Sequence, residues 1–424
     1  GKSSEDKRND CAAMIAAQGA DFAVITLPDS LCWLLNIRGN DVSKTPLVHG
    51  FAILGADARV RLFIAEEKIA HFDPDPAIDI FPPDMFESEL GKLTGKVICS
   101  KTTVPVAIVD ALKAGAADVI FGADPCALPK ACKNPVEIEG TRAAHLTDAA
   151  AMCELLCWLD AQSPGTVSEI DVVTQLENRR RATNALQDIS FDTIAGSGPN
   201  GAIMHYRVTH ETSRILQDGE LLVLDSGGQY LNGTTDITRT IAIGSPGKDE
   251  SRAFTRVLQG MIAISRLRWP KGLAGRDLEA FGRNALWQAG QDFNHGVGHG
   301  VGHYLGVHEG PQRFARTGTV PFEPGMILSN EPGYYREGAF GIRIENLVVV
   351  KEADRLPSFD PDRTFYDFET LTYVPIDRRL IRADWLTEQE RDWLNAYHLD
   401  CRTALKDRVA DETKLWLEQA TRPI

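Results

Sequence analysis

Four of the ten histidines, His295, His299, His303 and His308, fall within fourteen residues, interleaved with Gly296, Gly298, Gly300, Gly302 and Gly306. A spacing of four would align the first three on one helical face, as in a zinc-binding helix. Glycine argues against that: each one inside a helix costs about 1 kcal/mol relative to alanine, and four lie between His295 and His303. No Glu follows His295, as the helical metalloprotease motif requires. The stretch therefore reads as extended or looping, with glycines letting backbone and ligand approach closely. One of its histidines is then a metal ligand, and its neighbours serve the substrate.

Carboxylates supply the matching half. Asp225 ends the apolar run Leu221-Leu-Val-Leu224, and Asp236 follows eleven residues later. A two-residue Asn232-Gly233 turn would leave these aspartates several positions out of step, so a wider loop or a bulge within 229–232 is expected. Glu331 and Glu345 lie fourteen apart with Gly338 midway. A hairpin loop Glu337-Gly338-Ala339 would set them directly opposite, with Arg343 on the face of Glu345. Singly, each acid is an ordinary turn or loop residue. Jointly, four carboxylates in one dry site need countercharge, and divalent cations provide it. Two Asp, two Glu and one His are oxygen-rich with one nitrogen, which favours paired Mn(II), Co(II) or Zn(II) over an all-oxygen Ca²⁺ cage.

The elements that must position these groups follow from periodicity. Residues 22–27, 51–54 and 61–64 read as strands and 10–18 as a helix of an N-terminal α/β domain. Within it Trp33 to Gly39 is structural by composition, while Asn36, Arg38 and Asp41 are candidates to face a shared cleft. A boundary lies in 125–134, dividing the chain into 1–132 and 133–424. Asn134, Pro135 and Glu137 read as the capped start of a helix reaching about Ala161. Further helices are expected over 168–181, 249–267 and 276–289, the last stopped by Gly290. Strands are expected over 220–224, 239–243, 325–328 and 342–350. Thr387 and Glu390 form a capping box on a helix reaching about Val409.

At 424 residues two domains are the natural division, and the 43% apolar and 25% charged composition is that of a globular protein. A net charge of −14 argues against nucleic acid or an anionic membrane as partner. No apolar run has the roughly 18 residues of a membrane span, and no signal-peptide pattern opens the chain. The polar first ten residues read as a processed end. Eight cysteines without regular spacing or a CxxC pair read as reduced thiols of a cytoplasmic protein and not as a thiolate zinc site.

The segments Leu224-Asp-Ser-Gly-Gly-Gln-Tyr230, Thr235-Asp-Ile-Thr-Arg-Thr240, His295 to Pro311 and Asn330-Glu-Pro-Gly-Tyr-Tyr335 to Gly341-Ile-Arg-Ile-Glu-Asn346 resemble the pita-bread metallopeptidases. The likeness is strongest to Xaa-Pro aminopeptidases of the long, multidomain type and extends over about residues 134 to 405. Trp33 to Gly39 resembles the middle domain of those enzymes. Long members carry one further domain ahead of it, and its absence is read as truncation, proteolysis or a shorter relative.

The resemblance implies an α/β (α+β) fold, with a creatinase-like domain before a pita-bread catalytic domain. It implies that Asp236 and Glu345 bridge two divalent ions, Mn(II) foremost, that Asp225 binds one of them, and that His299 and Glu331 complete the set. Glu331 also takes a proton from water, His308 stabilises the oxyanion or relays a proton, and His205 and His295 position substrate. Arg343 orients Asp225 or Asp236, and Tyr335 lines a pocket for a proline ring. His303 is structural. Substrates would be peptides with proline in second position, and the protein a homodimer. Prolidase would share all five ligands, whereas a creatinase-like hydrolase or a catalytically dead binding module should have lost some. A glycine-rich scaffold gives no reason for opposed carboxylates.

Overall fold

The computed structural model describes residues 1–70, 75–355, 360 and 362–424. They form two compact units, Gly1–Asn134 and Pro135–Ile424.

In the first unit, short β-branched and aromatic runs become strands β1 (Phe22–Ile25), β2 (Phe51–Gly55), β3 (Val60–Phe63), β4 (Ile78–Phe81), β5 (Thr94–Ser100) and β6 (Ala116–Gly122). They make one mixed sheet in the order β4-β3-β2-β1-β5-β6. Val24, Ile53, Phe63 and Val97 pack with Leu90 and Leu112 of the flanking helices into its core. The first helix runs Ser4–Ala17, longer than its apolar pattern suggests, because the Ser3 side chain accepts from the Asp6 amide and caps it. The polar opening residues are therefore mostly helical. Asn36, Arg38 and Asp41 all bond inside this unit: Asn36 Oδ1 accepts from Lys7 Nζ at 2.7 Å, Arg38 Nη1 donates to the Cys32 carbonyl at 3.1 Å, and Asp41 Oδ2 pairs with Lys68 Nζ at 2.6 Å.

The second unit opens with the long helix Pro135–Asp160. Its Ala149, Cys153 and Leu156 pack against Leu222, Leu224 and Ile241 and against Leu176 of helix Glu169–Ala182. The strands are β7 (Leu186–Ile189), β8 (Ile194–Ser197), β9 (Leu221–Ser226), β10 (Gly228–Tyr230), β11 (Gly233–Thr234), β12 (Ile237–Ala242), β13 (Arg268–Pro270), β14 (Gly298–Gly300), β15 (Glu309–Phe314), β16 (Ile327–Asn330), β17 (Gly333–Arg336), β18 (Phe340–Arg343), β19 (Asn346–Glu352) and β20 (Phe365–Thr370). Their sheets run β11-β10-β7, β12-β9-β8, β13-β20-β19-β16-β14-β15 and β17-β18. All eight cysteines are free thiols.

Several expectations are corrected. Residues 276–289 do not form one helix; they break into Gly275–Leu278, a 3-10 turn Glu279–Gly282 and Asn284–Trp287. The broken segment packs closely on helix Lys248–Ser265, where a Cβ on Gly260 would sit 2.2 Å from the Gly282 carbonyl oxygen. The expected strand 342–350 is interrupted between β18 and β19. The last capped helix ends at Leu405, and a further one, Asp411–Ala420, follows it.

Candidate metal centre

Two hairpins and one glycine-rich strand build the centre. Along β9 and β12 Asp225 lies opposite Thr238, and the same register continues to Tyr230 opposite Gly233. The turn is thus Leu231-Asn232, one residue earlier than the Asn-Gly pair suggests, and neither a wider loop nor a bulge is needed between the aspartates. That register sets Asp236 level with Gly227, two residues from Asp225 and on the same face of the hairpin. The expectation of a wider loop or a bulge fails because a two-residue turn one position earlier already brings the aspartates together on that face, leaving Gly233 in the ladder, where its Cβ would crowd Ala144 and Thr141 of the long helix.

The glutamate hairpin has the expected register. Arg336 pairs with Phe340 across Glu337-Gly338-Ala339, and Asn330 pairs with Asn346, so Glu331 and Glu345 lie level. Between those two ladders the arms stay joined, the Ile344 amide donating to the Pro332 carbonyl at 3.3 Å, while the amides of both glutamates face away from each other. The Glu345 amide donates to the Thr238 carbonyl at 3.1 Å, and the Glu331 amide donates to the Val297 carbonyl at 2.8 Å. The interruption that splits 342–350 thereby attaches one glutamate to the aspartate hairpin and the other to the histidine strand.

That strand, β14, is extended and not helical, with its backbone pressed against β16: a Cβ on Gly298 would lie 1.9 Å from the Ser329 carbonyl oxygen. His299 Nδ1 is 2.9 Å from the Gly300 carbonyl oxygen, so Nδ1–H donates and Nε2 is the nitrogen that faces the acids. Nε2 lies 3.4 Å from both Asp236 Oδ2 and Glu331 Oε1. An imidazole oriented by a backbone carbonyl through its other nitrogen is the usual arrangement of a metal-ligating histidine. Ligand atoms of Asp236, His299 and Glu345 lie within 4.8 Å of one another.

The electrostatics agree. Burial and then the charges of Asp225 and Glu331 push the Asp236 carboxyl well up. Burial and the charges of Asp236, Glu331 and Asp225 do the same to Glu345, and burial raises Glu331. Acids so placed cannot all ionise together without added positive charge. Among the described residues neither Asp225 Oδ1 nor Glu345 Oε1, both buried, has a hydrogen-bond partner. Two unpartnered buried carboxylate oxygens, among acids whose charges bear on one another and with His299 Nε2 beside them, fit divalent cations.

Arg343 supplies the cation that the chain itself carries. Its Nη2 is 2.5 Å from Asp225 Oδ2, its Nη1 donates to the Tyr335 hydroxyl at 2.6 Å, and its side chain is 3% exposed. The Tyr335 hydroxyl in turn lies 3.0 Å from His295 Nε2. His295 Nδ1 donates to the Gly296 carbonyl at 2.7 Å, which leaves Nε2 to accept from the tyrosine. Burial, then the Arg343 charge, holds the His295 imidazole neutral, pushed down to about 3. His308 packs its ring against His299, centroids 4.1 Å apart. The carbonyl of Met204 accepts from Arg343 Nη1 at 3.3 Å, which sets the next residue, His205, beside the same group. His303 does not: its Nδ1 meets Thr141 Oγ1 at 3.1 Å on the long helix.

Supporting side chains went unnoticed in the sequence. Thr238 Oγ1 donates to Glu345 Oε2 at 2.8 Å, and Ser329 Oγ donates to Glu331 Oε1 at 3.1 Å. Each lies two residues from a metal-binding candidate, so strand alternation could have found both. The buried Arg283, which donates from Nη2 to the His295 carbonyl at 2.6 Å, had no such signal.

These features define a carboxylate-rich centre for divalent metal on a pita-bread domain. Residues 139–352 match metallopeptidase family M24, residues 1–137 the creatinase/prolidase N-terminal domain, and residues 364–424 the C-terminal region of the M24 peptidases. The chain belongs to metallopeptidase family M24. It is 36% identical to aminopeptidase P2 of Arabidopsis thaliana, with 96% of this chain and 62% of that protein aligned. It is 39% identical to a probable Xaa-Pro aminopeptidase P of Laccaria bicolor, over 96% and 65%. The chain thus spans somewhat less than two thirds of the length of these relatives. The X-prolyl aminopeptidase of Caenorhabditis elegans, described as a cytosolic enzyme with a di-nuclear active site, superposes with a TM-score of 0.91 at 34% identity, covering all of this chain and 71% of that one. Among the described residues no helix is long and apolar enough to cross a membrane.

Proposed function

We propose that the chain is a dinuclear metal-dependent aminopeptidase that removes the first residue from peptides with proline in second position, with residues 133–424 as its catalytic domain. The observation that carries this reading is the convergence of four carboxylates and His299 Nε2, with two buried carboxylate oxygens lacking any hydrogen-bond partner. The names of these longer relatives support the choice of substrate.

Two divalent cations, Mn(II) foremost with Zn(II) or Co(II) as alternatives, held by Asp225, Asp236, His299, Glu331 and Glu345, would supply Lewis-acid polarisation of the scissile carbonyl and a lowered water pKa. Glu331 accepts the proton of the attacking water, with Ser329 Oγ holding its carboxylate in place. His308, beside His299, donates to the oxygen on which negative charge develops or passes a proton to the leaving nitrogen. A bond to proline nitrogen is a tertiary amide without an N–H, so recognition falls on the first residue, the carbonyl and the ring. His205 and His295 position the substrate around that carbonyl, His295 through its ring face because both its nitrogens are engaged, and Tyr335 lines the ring pocket. His295, neutral and accepting from Tyr335, is kept from repelling the free N-terminal amine. Arg343 fixes Asp225. The reading includes a cytosolic homodimer, in keeping with the printed description of the nematode relative as cytosolic.

The test is hydrolysis of an Xaa-Pro-Xaa tripeptide and an Xaa-Pro dipeptide by chelator-stripped protein before and after addition of Mn(II). Tripeptide cleavage that returns with the metal is expected. Activity confined to the dipeptide would make the protein a prolidase, and none on either would leave a non-catalytic binding module.

A further inference from the structure

The 197–214 segment, which carries His205, has little regular structure beyond a 3-10 turn at Gly198–Ala202. It is nevertheless held at both ends and in the middle by one side chain. Glu169, the first residue of helix Glu169–Ala182, is 0% exposed. Its Oε1 accepts from the Ser197 amide at 2.7 Å and the Ser197 hydroxyl at 3.0 Å. Oε2 accepts from the Arg214 amide at 3.0 Å and lies 3.0 Å from the Tyr206 hydroxyl, which also reaches the Thr212 carbonyl at 2.9 Å within the same loop. Asn200 Nδ2 reaches both oxygens, at 3.1 and 3.0 Å. The Glu169 amide donates to the Arg214 carbonyl at 3.0 Å, closing the loop from the other side.

A carboxylate at a helix N-terminus is favoured by the helix dipole, and charge-assisted hydrogen bonds are about twice as strong as neutral ones. The arrangement is therefore a firm anchor for a segment that supplies little packing of its own. Its placement matters for the metal centre. Tyr206, gripped by Glu169, directly follows His205, and the carbonyl of Met204, directly before it, accepts from Arg343 Nη1 at 3.3 Å. His205 is thus bracketed between the Glu169 anchor and the guanidinium that holds Asp225.

We infer that Glu169 is a positioning residue for the substrate side of the site, acting by fastening the loop that carries His205; the inference rests on the proposed role of His205 as a substrate contact. Glu169 touches no reacting group itself. Its replacement by glutamine keeps the shape, removes the charge and turns an amide N–H₂ toward groups that are themselves donors.

The experiment uses the full chain loaded with Mn(II), comparing Glu169→Gln, Tyr206→Phe, His205→Ala and the Glu169→Gln/His205→Ala double variant. Hydrogen–deuterium exchange across 198–214 should rise in Glu169→Gln and, less strongly, in Tyr206→Phe. Tripeptide kcat/KM should fall by about 10–100-fold in Glu169→Gln, with bound Mn(II) unchanged and KM carrying most of the loss. The double variant should fall no further than His205→Ala. Unchanged exchange in the loop, or losses that multiply in the double variant, would overturn the inference. Should Glu169→Gln fail to fold, Tyr206→Phe and the Tyr206→Phe/His205→Ala double variant decide by the same two readouts. If the wild-type chain cleaves no peptide, the proposed function fails, and the exchange measurement still decides whether Glu169 fastens the loop.

Discussion

Replacement of Glu345 by glutamine should stabilise the metal-free protein and abolish most of its stabilisation by metal. Glu345 is 1% exposed, its Oε2 accepts from Thr238 and its Oε1 has no partner. Without cations its carboxyl is pushed up by burial and by the charges of Asp236, Glu331 and Asp225. A folded state that raises a carboxyl binds more protons than the unfolded chain, so stability falls as pH rises above the ordinary glutamate range. Each unit by which the carboxyl is raised corresponds to about 1.4 kcal/mol. Glutamine keeps the Thr238 hydrogen bond and removes this penalty at pH 7.

With metal the sign reverses. A ligand at 100 times its Kd stabilises by about 2.7 kcal/mol, so two ions contribute roughly 5 kcal/mol. At about 2–4 °C per kcal/mol, the wild type should gain on the order of 10 °C or more from Mn(II). Differential scanning calorimetry of stripped and loaded protein at pH 7 reads both effects. The variant's metal-free Tm should lie above that of the wild type, and its gain from Mn(II) should shrink to a few degrees. A variant that melts no higher than wild type without metal, yet gains as much with it, would refute both the repulsion argument and the bridging position.

Other outcomes follow from the same geometry. Arg343→Met leaves Asp225 without its guanidinium partner; breaking such a buried pair costs about 3–5 kcal/mol, and Mn(II) affinity read by chelator competition should fall about 10–100-fold. Gly298→Ala drives a methyl group against the Ser329 carbonyl, so chemical denaturation should show a loss of at least about 1–3 kcal/mol, with His299 displaced and Mn(II) binding weakened. His398 is buried on the helix Glu388–Leu405, where burial and then the charges of Arg378 and Arg239 hold it down to about 3 while its Nε2 accepts from the Ile376 amide at 3.1 Å. Its folded form binds no proton where the unfolded imidazole does, so its contribution is fully present above about pH 6.5 and is lost as pH falls from there toward 3, by about 1.4 kcal/mol per unit. Urea titrations between pH 7 and 4.5 should show this slope in the wild type and a shallower one in His398→Asn.

The centre was legible wherever side-chain chemistry and strand register coincided. The fourteen-residue separation of Glu331 and Glu345 with Gly338 midway leads to the observed pairing, because a three-residue loop leaves one register. The glycines among the histidines exclude a helix on local energetics alone, and β14 is a strand. The aspartate hairpin was harder. Asn-Gly is a strong turn signal, and the chain instead turns at Leu231-Asn232 and uses Gly233 where the long helix packs close. What periodicity could not supply are the long-range hydrogen bonds: the Glu345 amide on Thr238, the Glu331 amide on Val297 and Arg283 on the His295 carbonyl. These depend on which hairpins meet in space. The interrupted segment 276–289 shows the same limit, its helical pattern broken where Gly282 packs closely on Gly260.

Anomalous scattering from a crystal of the protein grown with Mn(II) tests the dinuclear centre most directly. Two peaks are predicted, both within coordinating distance of Asp236 and Glu345, one also reaching Asp225 and the other His299 Nε2 and Glu331. A single peak, or two that do not share the Asp236 and Glu345 carboxylates, would contradict the account.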